Sequence, residues 1–171
     1  MKFTPGTRRT APFPGETSLT VTGTDAILGK ADGDNWTWTL LCGGNKTSGT
    51  INGGTTITLK DIAATTGAGT EHQFDKYAGI IDGKGAGTVN GEKKLVFDNY
   101  AASFLGTLQN FDKVQITGNS DLSLDKSLGH TVPSLSVNAG STLRFNRDQD
   151  ATLDITNNGT IRTSHNLTLK S

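Results

Sequence analysis

Apolar residues recur along the chain as pairs separated by one position: Leu19/Val21, Trp38/Leu40, Ile57/Leu59, Leu95/Phe97, Val114/Ile116, Leu135/Val137 and Leu153/Ile155. A period of two is that of a strand with one face in an interior and the other in water, so each pair predicts a short half-buried strand. Successive pairs lie 18 to 21 residues apart, apart from one gap of 38 between Ile57 and Leu95 that leaves room for a further strand around Tyr77 to Ile81. Four stretches also share a longer template of Gly-Thr, an aliphatic residue, five variable positions and an apolar pair: Gly49-Thr50-Ile51 with Ile57/Leu59, Gly87-Thr88-Val89 with Leu95/Phe97, Gly106-Thr107-Leu108 with Val114/Ile116, and Gly159-Thr160-Ile161 with Leu167/Leu169.

A repeat of about 19 residues fits one coil of a β-solenoid, in which each coil buries its apolar face only by stacking on its neighbours. About eight such coils are expected. The segment from Gly49 to Ala64 matches that from Gly87 to Ala102 and is read as lying two coils away. A second apolar register follows eight residues behind several pairs, as at Leu122/Leu124, Leu143/Phe145 and Ile161, so each coil has more than one apolar side. An antiparallel sandwich would not repeat its sequence at such spacing. The six-residue step of a left-handed helix occurs from Ile51 to Ile57 and from Leu108 to Val114 but does not continue. The expected fold is all-β, a right-handed parallel β-helix over residues 16–171 that forms a piece of a longer chain, with residues 1–15, rich in Pro, as an N-terminal arm or cap.

Corners are expected at Gly53, Gly91, Gly118, Gly140 and Gly159, which would supply positive φ, with Asn52, Asn90 and Asn138 as stacked polar turns. Trp36 and Trp38 share the inward phase of Leu40. The 22 glycines and the hydrophobic fraction of only 33% suit short strands joined by tight corners. Cys42 is the one cysteine, which excludes an intramolecular disulfide and leaves burial and stacking to supply stability. No apolar run follows Arg8-Arg9, so neither a secretion signal nor direct membrane insertion of this segment is expected. With 16 Lys plus Arg against 16 Asp plus Glu there is no net positive field, and nucleic acid is not expected as a partner.

Candidate chemistry is sparse. His72, His130 and His165 fall in separate coils, and no nucleophile motif accompanies them. Asp32, Asp34 and Asn35 surround Gly33 like a fragment of a calcium loop, but without the closing Glu they read as a corner turn, and no cofactor or metal is expected. Arg147, Asp148 and Asp150, close to Arg144, are the weak catalytic candidates. Glycosidic bond cleavage needs a proton donor set against a base or nucleophile, although such a cluster also suits a solvated turn.

The segment Tyr77-Ala78-Gly79-Ile80-Ile81-Asp82-Gly83-Lys84-Gly85-Ala86-Gly87-Thr88-Val89, followed by Leu95-Val96-Phe97, resembles the degenerate Gly-rich repeat of bacterial autotransporter and filamentous-adhesin passenger domains. That resemblance implies a β-helix displayed on the outer surface of a Gram-negative cell or secreted, acting in adhesion, aggregation and virulence. Its partner would be a protein or glycan of a host or neighbouring cell, with self-association through the open end of the stack as a further expectation. β-Helical polysaccharide-cleaving enzymes and phage tail spikes use the same kind of coil and stand as alternatives.

Overall fold

The computed structural model describes residues 14–22, 30–32, 35–37, 40–63, 80–104, 106–128, 132–150 and 152–170. All regular structure among them is strand: β1 (Thr17–Thr22), β2 (Lys30–Asp32), β3 (Asn35–Thr37), β4 (Leu40–Cys42), β5 (Thr50–Ile51), β6 (Thr55–Lys60), β7 (Ile80–Asp82), β8 (Thr88–Val89) and β9 (Lys93–Asp98) in the first half. The second half contributes β10 (Ser103–Phe104), β11 (Thr107–Gln109), β12 (Lys113–Thr117), β13 (Asp121–Leu124), β14 (Ser134–Val137), β15 (Thr142–Phe145), β16 (Thr152–Asn157), β17 (Thr160–Thr163) and β18 (Thr168–Leu169).

Every pairing except β2 with β3 is parallel, and strands next to each other in a sheet come from separate passes of the chain. The long sheet has seven strands in the order β1-β6-β9-β12-β14-β16-β18; beside it stand a four-stranded sheet, β10-β13-β15-β17, and a three-stranded one, β11-β7-β4. From β9 onward the chain visits the long, the four-stranded and the three-stranded sheet before returning to the long one at β12. This is the stacked, parallel, multi-sided arrangement of a β-solenoid.

Alternation does the rest. In β6 the residues Thr55, Ile57 and Leu59 are buried and Thr56 and Thr58 half-exposed, and the register carries that phase from strand to strand. One apolar column runs Leu19, Ile57, Leu95, Val114, Leu135, Ile155; its neighbour runs Val21, Leu59, Phe97, Ile116, Val137 and closes on exposed Asn157. The four-stranded sheet answers with Leu122, Leu143 and Ile161 and with Phe104, Leu124 and Phe145, and the three-stranded sheet with Leu41, Ile81 and Leu108. Phe97 joins two sides, its ring meeting those of Tyr100 and Phe104 edge-on at 5.0 and 5.6 Å.

The register departs from an even spacing near 19 residues. Strand β1 bonds directly to β6 (Leu19↔Ile57), and β6 directly to β9 (Ile57↔Leu95), so no strand lies between them in the long sheet. Leu40 and Ile80, expected to fill those places, pair with each other in the three-stranded sheet and are 49% and 38% exposed, against the inward phase read for Leu40. The Gly49–Ala64 and Gly87–Ala102 repeats are therefore direct neighbours rather than two coils apart: Thr50↔Thr88, Ile57↔Leu95 and Ala63↔Ala101 are all in contact. Further along, the separation shortens, as in Leu95↔Val114 and Val114↔Leu135. There Leu135 pairs with Ile155 rather than with Leu153, which instead pairs with Leu169.

Corners are built differently from expectation. Gly118 and Gly140 do take positive φ (66° and 80°), but Gly53, Gly91 and Gly159 do not. Gly53 and Gly91 are needed because the coils touch backbone to backbone: a Cβ on Gly53 would fall 2.6 Å from the Gly15 carbonyl oxygen, and one on Gly91 2.5 Å from Gly54 N. Gly49 and Gly85 also take positive φ, and Asp61, Asn99, Asn110 and Asn119, of the types that tolerate the left-handed region, supply as many such positions as glycine does. Polar side chains then ladder between coils, Asn90 Nδ2 donating to Asn52 Oδ1 at 3.0 Å and Asn99 Nδ2 to Asp61 Oδ1 at 2.9 Å. Asn138 Nδ2 donates to Thr117 Oγ1 at 3.3 Å. Half-buried Cys42 has its thiol over the Gly44 carbonyl at 3.3 Å.

One corner carries a buried carboxylate. Asp82, 6% exposed, accepts 2.9 Å hydrogen bonds at Oδ1 from Lys84 N, Gly85 N and Asn110 Nδ2, and a 2.7 Å bond at Oδ2 from Gln109 Nε2. Burial pushes its pKa up, but the four donors outweigh burial and hold it below the ordinary 3.8.

Two outcomes follow. Leu95→Ala should cost about 2–5 kcal/mol, because it opens a cavity under two neighbouring strands; a urea titration reads this directly, and a loss below about 1 kcal/mol would contradict a continuous column. The stability that Asp82 contributes is complete above its unfolded pKa and is lost as pH falls through its lower folded value. Thermal unfolding followed from about pH 6 down to about pH 2 should therefore show the native chain losing more stability than Asp82→Asn, with the two curves converging at the acid end.

Candidate functional site

Three successive passes leave the four-stranded sheet through stacked turns: 125–128 after β13, 146–150 after β15 and 164–167 after β17. Gln149 binds them together. Its side chain is buried, with Oε1 accepting from Leu128 N at 2.9 Å and Nε2 donating to the Arg147 carbonyl at 3.0 Å, while its backbone N–H donates to the Asn166 carbonyl at 2.9 Å. Because alternate side chains point to opposite sides of an extended segment, an inward Gln149 throws Asp148 and Asp150 outward. Asn146 Nδ2 adds a 2.7 Å bond to Asp125 Oδ1, and Asp150 N one of 3.3 Å to Ser127 Oγ.

The outward residues line an open cleft of about 680 Å³: Asp125, Lys126, Ser127, Arg147, Asp148, Asp150 and His165. Of the residues singled out in the sequence, Arg147, Asp148, Asp150 and His165 are brought together here. Arg144 is not. It projects from β15 to pair with Asp121 through Nε–Oδ1 (3.0 Å) and Nη2–Oδ2 (2.9 Å), and lines a separate groove. His72 and His130 lie outside the described residues.

Asp148 is the best anchored of these carboxylates. Asn166 N donates to Oδ1 at 2.9 Å, Asn166 Nδ2 reaches Oδ2 at 3.4 Å, and His165 Nδ1 lies 3.3 Å from Oδ1. The Asn166 backbone N–H chiefly holds its pKa below the ordinary 3.8; desolvation opposes this, and the hydrogen bond and charge of His165 add to the lowering. A carboxyl so placed is ionised at neutral pH and serves as a hydrogen-bond acceptor, base or nucleophile, not as a proton donor.

The corner turn between coils read for Asp32, Asp34 and Asn35 is not what the pairing shows. Asp32 and Asn35 are register partners in the antiparallel pair β2–β3, so the segment doubles back on itself instead of passing from one coil to the next. Asp34 lies outside the described residues, as do Trp38 and the side chain of Trp36. Sequence reasoning overlooked Gln149 and the turns 125–128 and 164–167 that complete the cleft; the signal available was the alternation of charge around one uncharged amide in Arg147-Asp148-Gln149-Asp150.

Comparison with known proteins adds no relative: no protein-family model, no curated protein and no solved structure matches the chain.

For Asp148 a carboxyl-detected NMR titration should give a midpoint below 3.8 in the native chain. A midpoint above the ordinary carboxylate range would restore it as a candidate proton donor.

Proposed function

We propose that this chain is a right-handed parallel β-helix whose coils settle near 19 residues, acting as an adhesion or aggregation scaffold of the autotransporter-passenger and filamentous-adhesin type at a bacterial surface or in secreted form. The observation that carries the reading is the unbroken apolar interior from Leu19 to Ile155 beneath a mostly polar outer face that includes Thr56, Thr58, Lys94, Gln115 and Asp154. A rod so built offers many equivalent polar positions along one face, and weak contacts repeated along a rigid array add up to avidity. Its partner is a protein or glycan on a host or neighbouring cell. Self-association of such rods, edge strand to edge strand, belongs to the same reading.

One observation favours a second reading, a β-helical enzyme that cleaves carbohydrate: Arg147, Asp148 and Asp150 line one cleft. Against it stands the ionised state of Asp148, which leaves the acid role to another group.

Cells displaying the chain, tested for adhesion and aggregation and then for shortening of a polysaccharide panel, separate the two. Adhesion with every polysaccharide left intact is the expected outcome. Cleavage by the native chain that disappears in Asp148→Asn would overturn the scaffold reading in favour of the enzyme.

A further inference from the structure

Beside the Arg147–Asp150 cleft lies a smaller groove of about 270 Å³, lined by Arg144, Phe145, Asn146, Arg162, Thr163 and Ser164. No carboxylate lines it. Arg144 and Arg162 are register partners on β15 and β17, so two guanidinium-bearing side chains leave adjacent parallel strands about 4.8 Å apart. Like charges placed directly opposite repel, so a counter-charge at this pair is stabilising. Asp121 does this for Arg144, through two hydrogen bonds that occupy Nε and one Nη2 donor. Arg162 is exposed and has no acidic partner among the described residues.

The other polar groups are largely committed. Asn146 donates to Asp125, and Thr163 Oγ1 is closed into a turn with His165 by two 3.0 Å bonds. What remains free to meet a ligand is the Arg162 fork, the spare N–H groups of Arg144 and the Ser164 hydroxyl. A guanidinium presents paired, coplanar N–H groups that match two oxygens of a carboxylate or a sulfate.

We infer that this groove is an anion subsite that takes the carboxylate or sulfate group of an acidic polysaccharide, with Arg162 as its principal anchor. The polysaccharide follows from the surroundings, since the groove and the larger cleft share the same two turns: Asn146 and Ser164 face one, Arg147 and His165 the other. A sugar unit held by its acid group at Arg162 can extend neighbouring units across those turns, where Asp125 and Asp150 accept from hydroxyls. The inference rests on the scaffold reading and names its ligand class.

The test is fluorescence anisotropy of the full chain with three labelled oligosaccharides of similar length: an oligogalacturonate, which carries carboxylates only; a sulfated, uronate-free galactan; and neutral maltohexaose. At least one acidic probe should bind, more weakly as salt is raised, while the neutral probe binds at least about tenfold less well, a gap of about 1.4 kcal/mol. Whichever acidic probe binds more tightly identifies the source of the anion. Arg162→Gln should weaken acidic binding about tenfold or more, Arg162→Lys should recover part of it, and Lys60→Gln, on the long sheet, should leave it unchanged. Arg162 is exposed, so an unaltered thermal midpoint would show that the variants fold. Binding of no acidic probe, equal binding of the neutral one, or indifference to Arg162→Gln overturns the inference. Adhesion of displaying cells that survives such a result would leave the scaffold reading standing, whereas oligosaccharide binding without adhesion would remove that reading and keep the subsite.

Discussion

Parallel, in-register pairing is the constraint on which this molecule depends. Because side chains alternate along a strand, sliding one strand by a single residue would move Ile57 and Leu59 into water and bring Thr56 and Thr58 into the interior. No single coil can prevent this, since two or three buried aliphatic side chains, at about 1.5–3 kcal/mol each, do not offset the entropy of ordering a coil. Stacking makes the burial mutual: Leu95 is covered by Ile57 on one side and Val114 on the other. The corner ladders add what hydrophobic contact lacks, which is direction. The bonds between Asn52 and Asn90 and between Asp61 and Asn99 join residues of equal phase, so they are lost if the register slips.

The same stacking determines how outward chemistry is assembled. Residues far apart in sequence come within reach when they lie in stacked turns of successive coils, as do Asp125, Asp148 and His165. Arrangement is governed from inside: Gln149 occupies a buried position, satisfies backbone groups of adjacent turns and thereby fixes which neighbours face solvent. Ser120 does similar service one corner away, accepting from Tyr100 N at 3.0 Å while its own N–H reaches Ser141 Oγ at 3.2 Å. Gln149 and Ser120 are thus buried turn fasteners, consistent with the cost of leaving such groups unpaired.

Strand phase was legible along the long sheet, though not at Leu40, and so was the parallel, many-sided architecture, because both follow from period-two patterning repeated at intervals. Register was not. The apolar pairs at Leu19, Ile57 and Leu95 are interchangeable with Leu40 by hydrophobicity alone, and nothing in Leu40 announces that it belongs to a different sheet. The stronger signal was the matched segment from Gly49 to Ala64 and Gly87 to Ala102: residues that stack must agree in turn geometry, so the longest identity marks direct neighbours. The glycines were misassigned for a related reason. A sequence shows that Gly53 is conformationally free, but not that the Gly15 backbone passes too close for any Cβ. Of the site, the Arg147–Asp150 cluster was visible because it is contiguous, while Ser127 and His165 enter only through stacking.

Overall neutrality conceals how charge is distributed on this surface. Lys60 with Asp98, Lys93 with Asp112 and Arg144 with Asp121 pair across adjacent or nearby coils, and at exposed positions such pairs contribute little to stability. Arg162 is set apart by lining a groove with a second guanidinium and no carboxylate. Extending the array from β15 to β17 repeats the arginine, Arg144 to Arg162, but not the carboxylate, since Asp121 of β13 has Thr142 and Thr160 as its counterparts along the stack. Arg144 thus keeps the acid, and Arg162 has none among the described residues. The excess is local and faces a groove, which makes a stacked neutral scaffold able to select an anionic group without carrying the net charge that would draw every polyanion to it.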